Sequence, residues 1–185
     1  MSEKYVFCRI FRRISIFHGC LGRPGARRRA GQRRAAGPLI LNIYAGRKMA
    51  RCRGCFDCWL KTPGECVLRD GSERIGPALM SGDRVYILSR SCYGGFFVET
   101  KRALDRCIPG VLPFFICAGG LMHYVPRFCT QSEYRVAFYG MAGCTGREKA
   151  TAVKAAKAMS MNFNAKRCTV RLFDGEITAK EAAEL

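Results

Sequence analysis

The sequence predicts an α/β fold in three layers, with helices covering both faces of a parallel sheet. Three observations carry this. Short β-branched or aliphatic runs recur along the chain, segments with helical period separate them, and several runs end in loops of small residues. The clearest unit is Asp83–Arg106. Val85–Leu88 reads as a buried strand, Ser89–Gly95 as a loop with adjacent glycines, and the segment from Phe96 as a helix. In that helix Phe97, Leu104 and Ile108 share one side, with Glu99, Lys101, Arg102 and Asp105 opposite. In open α/β sheets, ligands bind at the carboxyl ends of strands, which draws attention to the loop. A plain strand–turn–helix connection would look the same.

Taken in order, Ile14–Phe17 is expected as the first strand, running into His18–Gly25 with its three glycines. Such a turn before a helix lets the backbone approach a phosphate closely. Residues 26–36 form a poor candidate helix, interrupted by Gly31 and by the arginines at 27–29 and 33–34. Leu39–Tyr44 is the second strand and Ile75–Met80 a short helix before the central strand. Leu112–Cys117 reads as a strand followed by a pocket-lining or interface loop. Tyr134–Tyr139 is a strand ending at Gly140–Gly143, followed by a helix over Arg147–Phe163 whose Ala152, Ala156, Met159 and Phe163 share a face. Cys168–Phe173 is the last strand, and Thr178–Leu185 a short terminal helix.

A chain of 185 residues with 49% hydrophobic content suits one domain, spanning residues 1–185, with a substantial core. The formal charge of +18 is lopsided: residues 1–53 hold fourteen Lys or Arg against Glu3 alone. That field attracts nucleic acid, anionic lipid or a phosphorylated ligand, or is simply a solvated basic face. No nucleic-acid module accompanies it. Arg9, Arg12 and Arg13 break the first seventeen residues, so no secretory signal is read and a cytoplasmic location is expected. Twelve cysteines then imply reduced thiols or metal ligands rather than a disulfide scaffold.

Two embellishments interrupt the domain. In the Cys-rich loop 51–70, Cys52, Cys55, Cys58 and Cys66 have the spacing C-x2-C-x2-C-x7-C. Four thiolates that close can surround an iron–sulfur cluster or, less typically, a zinc; they can also be unligated thiols in a compact loop. In the loop 107–126, twenty residues carry no Asp, Glu, Lys or Arg, but its prolines and glycines argue against a membrane helix.

Cys52-x-Gly54-Cys55-x2-Cys58-Trp59-x-Lys61-Thr62-Pro63-Gly64-x-Cys66 resembles the cysteine block of flavodoxin-like NAD(P)H-dependent FMN reductases, a group that includes iron–sulfur flavoproteins. Tyr93-Gly94-Gly95, Lys101, Leu104-Asp105-Arg106, Ile108-Pro109, Leu112–Phe115 and His123-x2-Pro126-Arg127 follow in similar order, so the resemblance runs from Arg51 to Asn164. It implies a flavodoxin-like three-layer sandwich with a parallel five-stranded sheet of order 2-1-3-4-5, FMN at the strand ends, and a homodimer. By resemblance, Ser91, Cys92, Tyr93, Gly94 and Gly95 run along the flavin ring. Tyr139, Gly140 and Met141 lie at another side of it, and Gly19, Gly22 and Arg23 take the place of the phosphate loop. The phosphate loop departs from the family's usual Gly-Ser-Pro-Arg pattern, reading Gly19-Cys20-Leu21-Gly22-Arg23. The family's proline before the ring-loop tyrosine is also missing.

The resulting expectation is an FMN-dependent oxidoreductase passing electrons from NAD(P)H to a small-molecule or redox-protein acceptor, with no membrane span and no specific nucleic acid. A [4Fe-4S] cluster on the four cysteines is the optional addition. His123 and Arg127 would contribute from a partner subunit, or His123 is a satisfied buried histidine. The alternative is a non-catalytic metal- or nucleic-acid-binding protein built on Cys52–Cys66 and the basic N-terminal half.

Overall fold

A computed structural model describes residues 7–12, 39–44, 49–73, 75–118, 120–128, 131–178, 181 and 185. The elements are β1 (Phe7–Arg12), β2 (Leu39–Tyr44), α1 (Asp57–Leu60), α2 (Ile75–Met80), β3 (Arg84–Cys92), β4 (Gly95–Phe96), α3 (Val98–Asp105), β5 (Val111–Ala118), β6 (Leu121–Pro126), β7 (Glu133–Tyr139), α4 (Gly146–Asn162) and β8 (Arg167–Leu172). A 3-10 turn, Ile108–Gly110, joins α3 to β5. The expected strand at Ile14–Phe17, the phosphate turn Gly19–Arg23 and the helix over 26–36 lie outside the described residues.

The five longer strands of the main sheet lie in the order β2-β1-β3-β7-β8, with β4 attached to β3. Strands β3, β7 and β8 are parallel, whereas β1 runs antiparallel to both β2 and β3. The sheet is therefore mixed, and the expectation of a parallel, five-stranded flavodoxin-like sheet is wrong. The reversed strand, Phe7–Arg12, falls in an N-terminal segment for which no element was expected, because Arg9 and Arg12 interrupt its apolar pattern. A short apolar run carries no direction in any case. The uncharged segment departs as well: β5 and β6 form a separate antiparallel two-stranded sheet rather than a strand and a loop.

The layers are also unequal. On one face of the main sheet, Val85, Ile87, Tyr134, Val136 and Phe138 pack with Leu79, Met80, Ala103, Leu104, Ala152 and Ala156 from α2, α3 and α4. On the other face, Leu88 and Ala137 pack with Leu185, backed by Tyr86, Phe173 and Ile177. Alternate residues along a strand point to opposite faces, so β3 and β7 feed both clusters. Among the described residues, helices thus contribute the main core on one face, and the C-terminal stretch covers the other. Arg135 reinforces that second face by donating to the Leu185 carbonyl and lying 5.7 Å over the Tyr86 ring. Strand β8 ends the sheet with Arg167, Thr169 and Arg171 exposed, charges that discourage a further strand from pairing there.

Local chemistry explains the longest helix. Thr145 caps α4: its hydroxyl accepts from the Glu148 amide at 3.2 Å, while the Glu148 carboxylate accepts from the Thr145 amide at 2.7 Å. Ala152, Ala156 and Ser160 recur every four residues and form its buried stripe.

The Cys-rich loop is fastened from inside. Arg106, 1% exposed, leaves the end of α3 and grips Asp70 with both terminal nitrogens, at 2.8 and 3.1 Å. The same guanidinium donates to the Ala50 carbonyl at 2.9 Å and the Leu68 carbonyl at 3.3 Å. Burial alone would weaken the Arg106 charge; the Asp70 hydrogen bonds, with help from Cys66, more than offset it. In turn, hydrogen bonds from Arg106, then from Ser72 and the Ala50 amide, hold the Asp70 carboxyl well below the usual carboxylate range.

Replacing Asp70 with Asn leaves Arg106 buried without its counter-charge. We expect a loss of about 3 kcal/mol, the lower end for breaking such a pair because Asp70 keeps some water. Since the folded-state value is depressed, the Asp70 contribution is complete above the ordinary aspartate value of about 4 and disappears as pH falls from there through the folded value. Urea unfolding of both proteins between neutral and acid pH checks this: their difference should shrink in acid.

Candidate functional site

Two sites were expected, and the structure treats them differently. The first lies where β3 and β7 end side by side. These strands are parallel neighbours, paired from Arg84↔Glu133 to Arg90↔Tyr139, so their following residues emerge from one edge of the sheet. After β3 the chain turns back at once. Ser91 pairs with Phe96 and Cys92 with Gly95, leaving Tyr93-Gly94 as a two-residue turn with φ of 48° and 73°. Two successive left-handed residues are what a tight type I′ hairpin requires. Gly94 is further constrained from below: a Cβ there would stand 2.6 Å from the Glu148 carbonyl oxygen in the first turn of α4. The turn therefore rests on the start of α4, and Tyr93 is lifted into solvent, 90% exposed.

The Tyr139–Met141 segment differs in kind. Tyr139 and Met141 are buried. The Gly140 and Met141 amides donate to the carbonyls of Gly175 and Phe173, at 2.9 and 3.1 Å, and the Ala142 amide to Asp174 at 3.1 Å. These amides are thus committed to the exit from β8 and are not donors for a ligand. Burial, then the nearby carboxylates of Glu176 and Glu99, pushes the Tyr139 phenol above its ordinary value, with Arg90 opposing. Of the expected ring contacts, Ser91–Gly95 keeps an open face, while Tyr139–Met141 forms the packed floor behind it.

Two residues that sequence reasoning missed join this edge. Arg90 is exposed, lies 6.0 Å over the Phe97 ring, and has its stem against Gly140. Cys144 brings its sulfur 3.7 Å from the Ser91 hydroxyl, linking the β3 turn to the segment that leads into α4. The signal for Arg90 was its place at the carboxyl end of β3, where a cation would face any ligand. Behind them Ser89, fully buried, accepts from the Phe97 amide at 2.9 Å and fixes where α3 begins. The phosphate-loop candidates Gly19, Gly22 and Arg23 lie outside the described residues.

The second site is the cysteine loop. Cys52, Cys55, Cys58 and Cys66 line one cavity of ≈ 40 Å³ together with Phe56, Arg106, Ile108 and Pro109. Cys52 and Cys55 are exposed, Cys58 and Cys66 buried. Burial, then the neighbouring thiols of Cys66, Cys52 and Cys55, raises the Cys58 thiol to about 11. The four are close enough to feel one another, yet no group of three or more His, Cys, Asp or Glu among the described residues is arranged to hold a metal ion. The four thiols thus line a shared cavity.

The loop's neighbours have their own tasks. Trp59 donates from its indole nitrogen to the Val111 carbonyl at 2.9 Å and stacks on Phe56 at 5.2 Å. Arg127 donates to the Pro109 carbonyl at 2.9 Å and lies against Gly64. It is therefore engaged within its own chain, on the cysteine loop. His123 is half-buried on β6.

Thiol reactivity should follow this division. With a value of about 11, only about one Cys58 in ten thousand is a thiolate at pH 7. Brief alkylation of the native protein followed by peptide mass spectrometry should label Cys52, Cys55, Cys92 and Cys117. Cys58, Cys66 and Cys107 should react only after denaturation.

No family model, curated protein or solved structure matches this chain. What the protein does must therefore be argued from the site itself.

Proposed function

We propose that this chain is an FMN-dependent oxidoreductase that carries electrons from NAD(P)H to a small-molecule or redox-protein acceptor, working as a homodimer. The observation that supports this best is the edge shared by β3 and β7. A tight two-residue turn there presents an exposed aromatic, Tyr93, at the end of the strand that carries the exposed cation Arg90, whose guanidinium lies over Phe97. A planar, electron-accepting ligand fits such a surface. The tyrosine face can stack on it, the Ser91–Gly95 backbone can reach its polar edge, and Arg90 can favour negative charge on it. When bound, FMN supplies the ability to accept a hydride and release electrons singly. The protein's share is to hold the ring flat against the turn, exclude water on the floor side with Tyr139 and Met141, and offset charge with Arg90. Gly19, Gly22, Arg23 and the arginines at 27–29 and 33–34 are assigned to the phosphate, which their charge attracts without reading any sequence of bases. This reading rests on the two strand ends and the residue pattern, not on a flavodoxin-like sheet.

One observation favours a second reading, a non-catalytic metal protein: the four cysteines share one cavity. Anaerobic purification with iron, sulfide and zinc analysis tests it. About four irons and four sulfides per chain, or about one zinc, would support that reading.

For the first reading, excess FMN should quench flavin fluorescence and raise the melting temperature by ~5 °C or more at a hundredfold excess over Kd. Tyr93→Asn keeps a residue tolerant of the left-handed turn but removes the ring. It should weaken FMN about tenfold while leaving the melting temperature of the ligand-free protein unchanged. Unquenched flavin together with an unmoved melting temperature in the parent protein would reject the assignment.

A further inference from the structure

The β5–β6 hairpin is attached at its base and bare towards its tip. At the base, Trp59 holds the Val111 carbonyl, Asn162 accepts from the Tyr124 amide at 3.4 Å, and Tyr124 packs between Trp59 and Phe115, with ring centroids 5.9 and 4.7 Å away. Further out, Phe114, Phe115, Ile116, Leu121 and Met122 are between 45% and 68% exposed. The register places Phe115, Cys117 and Met122 on one face of the ribbon and Ile116 and Leu121 on the other. Packing one face on the chain's own body would therefore still leave apolar side chains in water. Among the described residues no third strand joins this sheet, and a two-stranded ribbon is marginal by itself.

Charge narrows the choice of partner. Residues 107–126 carry no Asp, Glu, Lys or Arg in a chain of net charge +18. An acidic partner would be drawn to the basic remainder of the molecule rather than to this arm. The arm's complement is another uncharged apolar surface, and a second copy of the chain offers one in the same arm. The five side chains present roughly 600 Å² per copy, split between the two faces. The two arms must therefore wrap around each other rather than stack on one face to remove on the order of 1,200 Å², the lower end for a specific interface. Among the described residues no further strand pairs with either edge of the ribbon, and a two-fold axis can bring two such edges together without leaving an open site.

We propose that the chain dimerises through this arm, the β5–β6 hairpin of one copy packing on that of the second. The inference rests on the homodimer reading above and names its surface; it is independent of the flavin. In sedimentation velocity at about 50 µM, the full chain should run at twice its 20.7 kDa mass. Ile116→Glu with Met122→Glu puts one charge on each exposed face of the arm. That variant should fall to the monomer mass with its far-UV circular dichroism preserved. A variant that stays dimeric would overturn the arm as the interface while leaving the homodimer standing. A parent protein that is monomeric at this concentration would overturn both. A monomeric parent that pellets with neutral phosphatidylcholine vesicles, when the variant does not, would assign the arm to a lipid surface instead. FMN titration, measured separately, leaves these outcomes untouched.

Discussion

The buried guanidinium of Arg106 is the constraint on which the outer half of this structure depends. One side chain gathers the Ala50 and Leu68 carbonyls and the Asp70 carboxylate, closing both ends of the cysteine loop onto the end of α3. A charge so deeply buried is tolerable only while every partner is in place. That makes the loop's path an all-or-none matter. Once fixed, the loop positions Trp59, whose indole holds Val111 at the root of the β5–β6 arm. The cysteine cavity, the arm and α3 are thus one mechanical unit, reached through a single ion pair.

The strand-end site depends on a different constraint, the parallel pairing of β3 with β7. It brings the residues after Arg90 and after Tyr139 to one edge, but the two sides are then treated unequally. The chain leaving β8 returns its carbonyls at Phe173, Asp174 and Gly175 to the amides of Gly140–Ala142. A loop that might have faced a ligand is turned into framework. On the β3 side the tight hairpin satisfies its own ladder and leaves Tyr93 projecting. On the proposed reading, recognition at this edge falls to one turn and the cation Arg90, with the second loop acting through position alone.

Much of the local structure could be read from the residues. The runs Leu39–Tyr44 and Ile75–Met80 appear with the boundaries their composition suggests, and Thr145-x-x-Glu148 makes the capping box that such spacing favours. What could not be read is non-local. Nothing in Phe7–Arg12 says that it runs against β3, because hydrophobic alternation has no direction. Arg106, at the end of a polar helix, looks solvated until Asp70, thirty-six residues away, is brought to it. The cysteine spacing placed four thiols in one neighbourhood but could not say that Cys58 and Cys66 would be buried while Cys52 and Cys55 stayed open. The uncharged segment was recognisable as unusual; that it pairs with itself as a hairpin depends on a turn near Gly120 that composition only hints at.

A sheet with β1 reversed does not inherit the ligand logic of an all-parallel fold, in which strand ends meet where the strand order reverses. At Tyr93 the local geometry is two left-handed residues, a glycine pressed against the Glu148 carbonyl, and a ring with nothing covering it among the described residues. The tight turn fixes the backbone beneath the ring, so binding a planar partner would have only the side-chain rotamer left to order. The cysteine cavity has the opposite character. Its inner thiols are buried, Cys58 is held in the neutral form, and Arg106 is already engaged. Were the four sulfurs gathered around a metal, its charge would displace the Cys58 proton, and a loop that a buried ion pair holds in place would have to move. The contrast is between an exposed turn whose backbone is already set and a cysteine loop fastened by a buried ion pair.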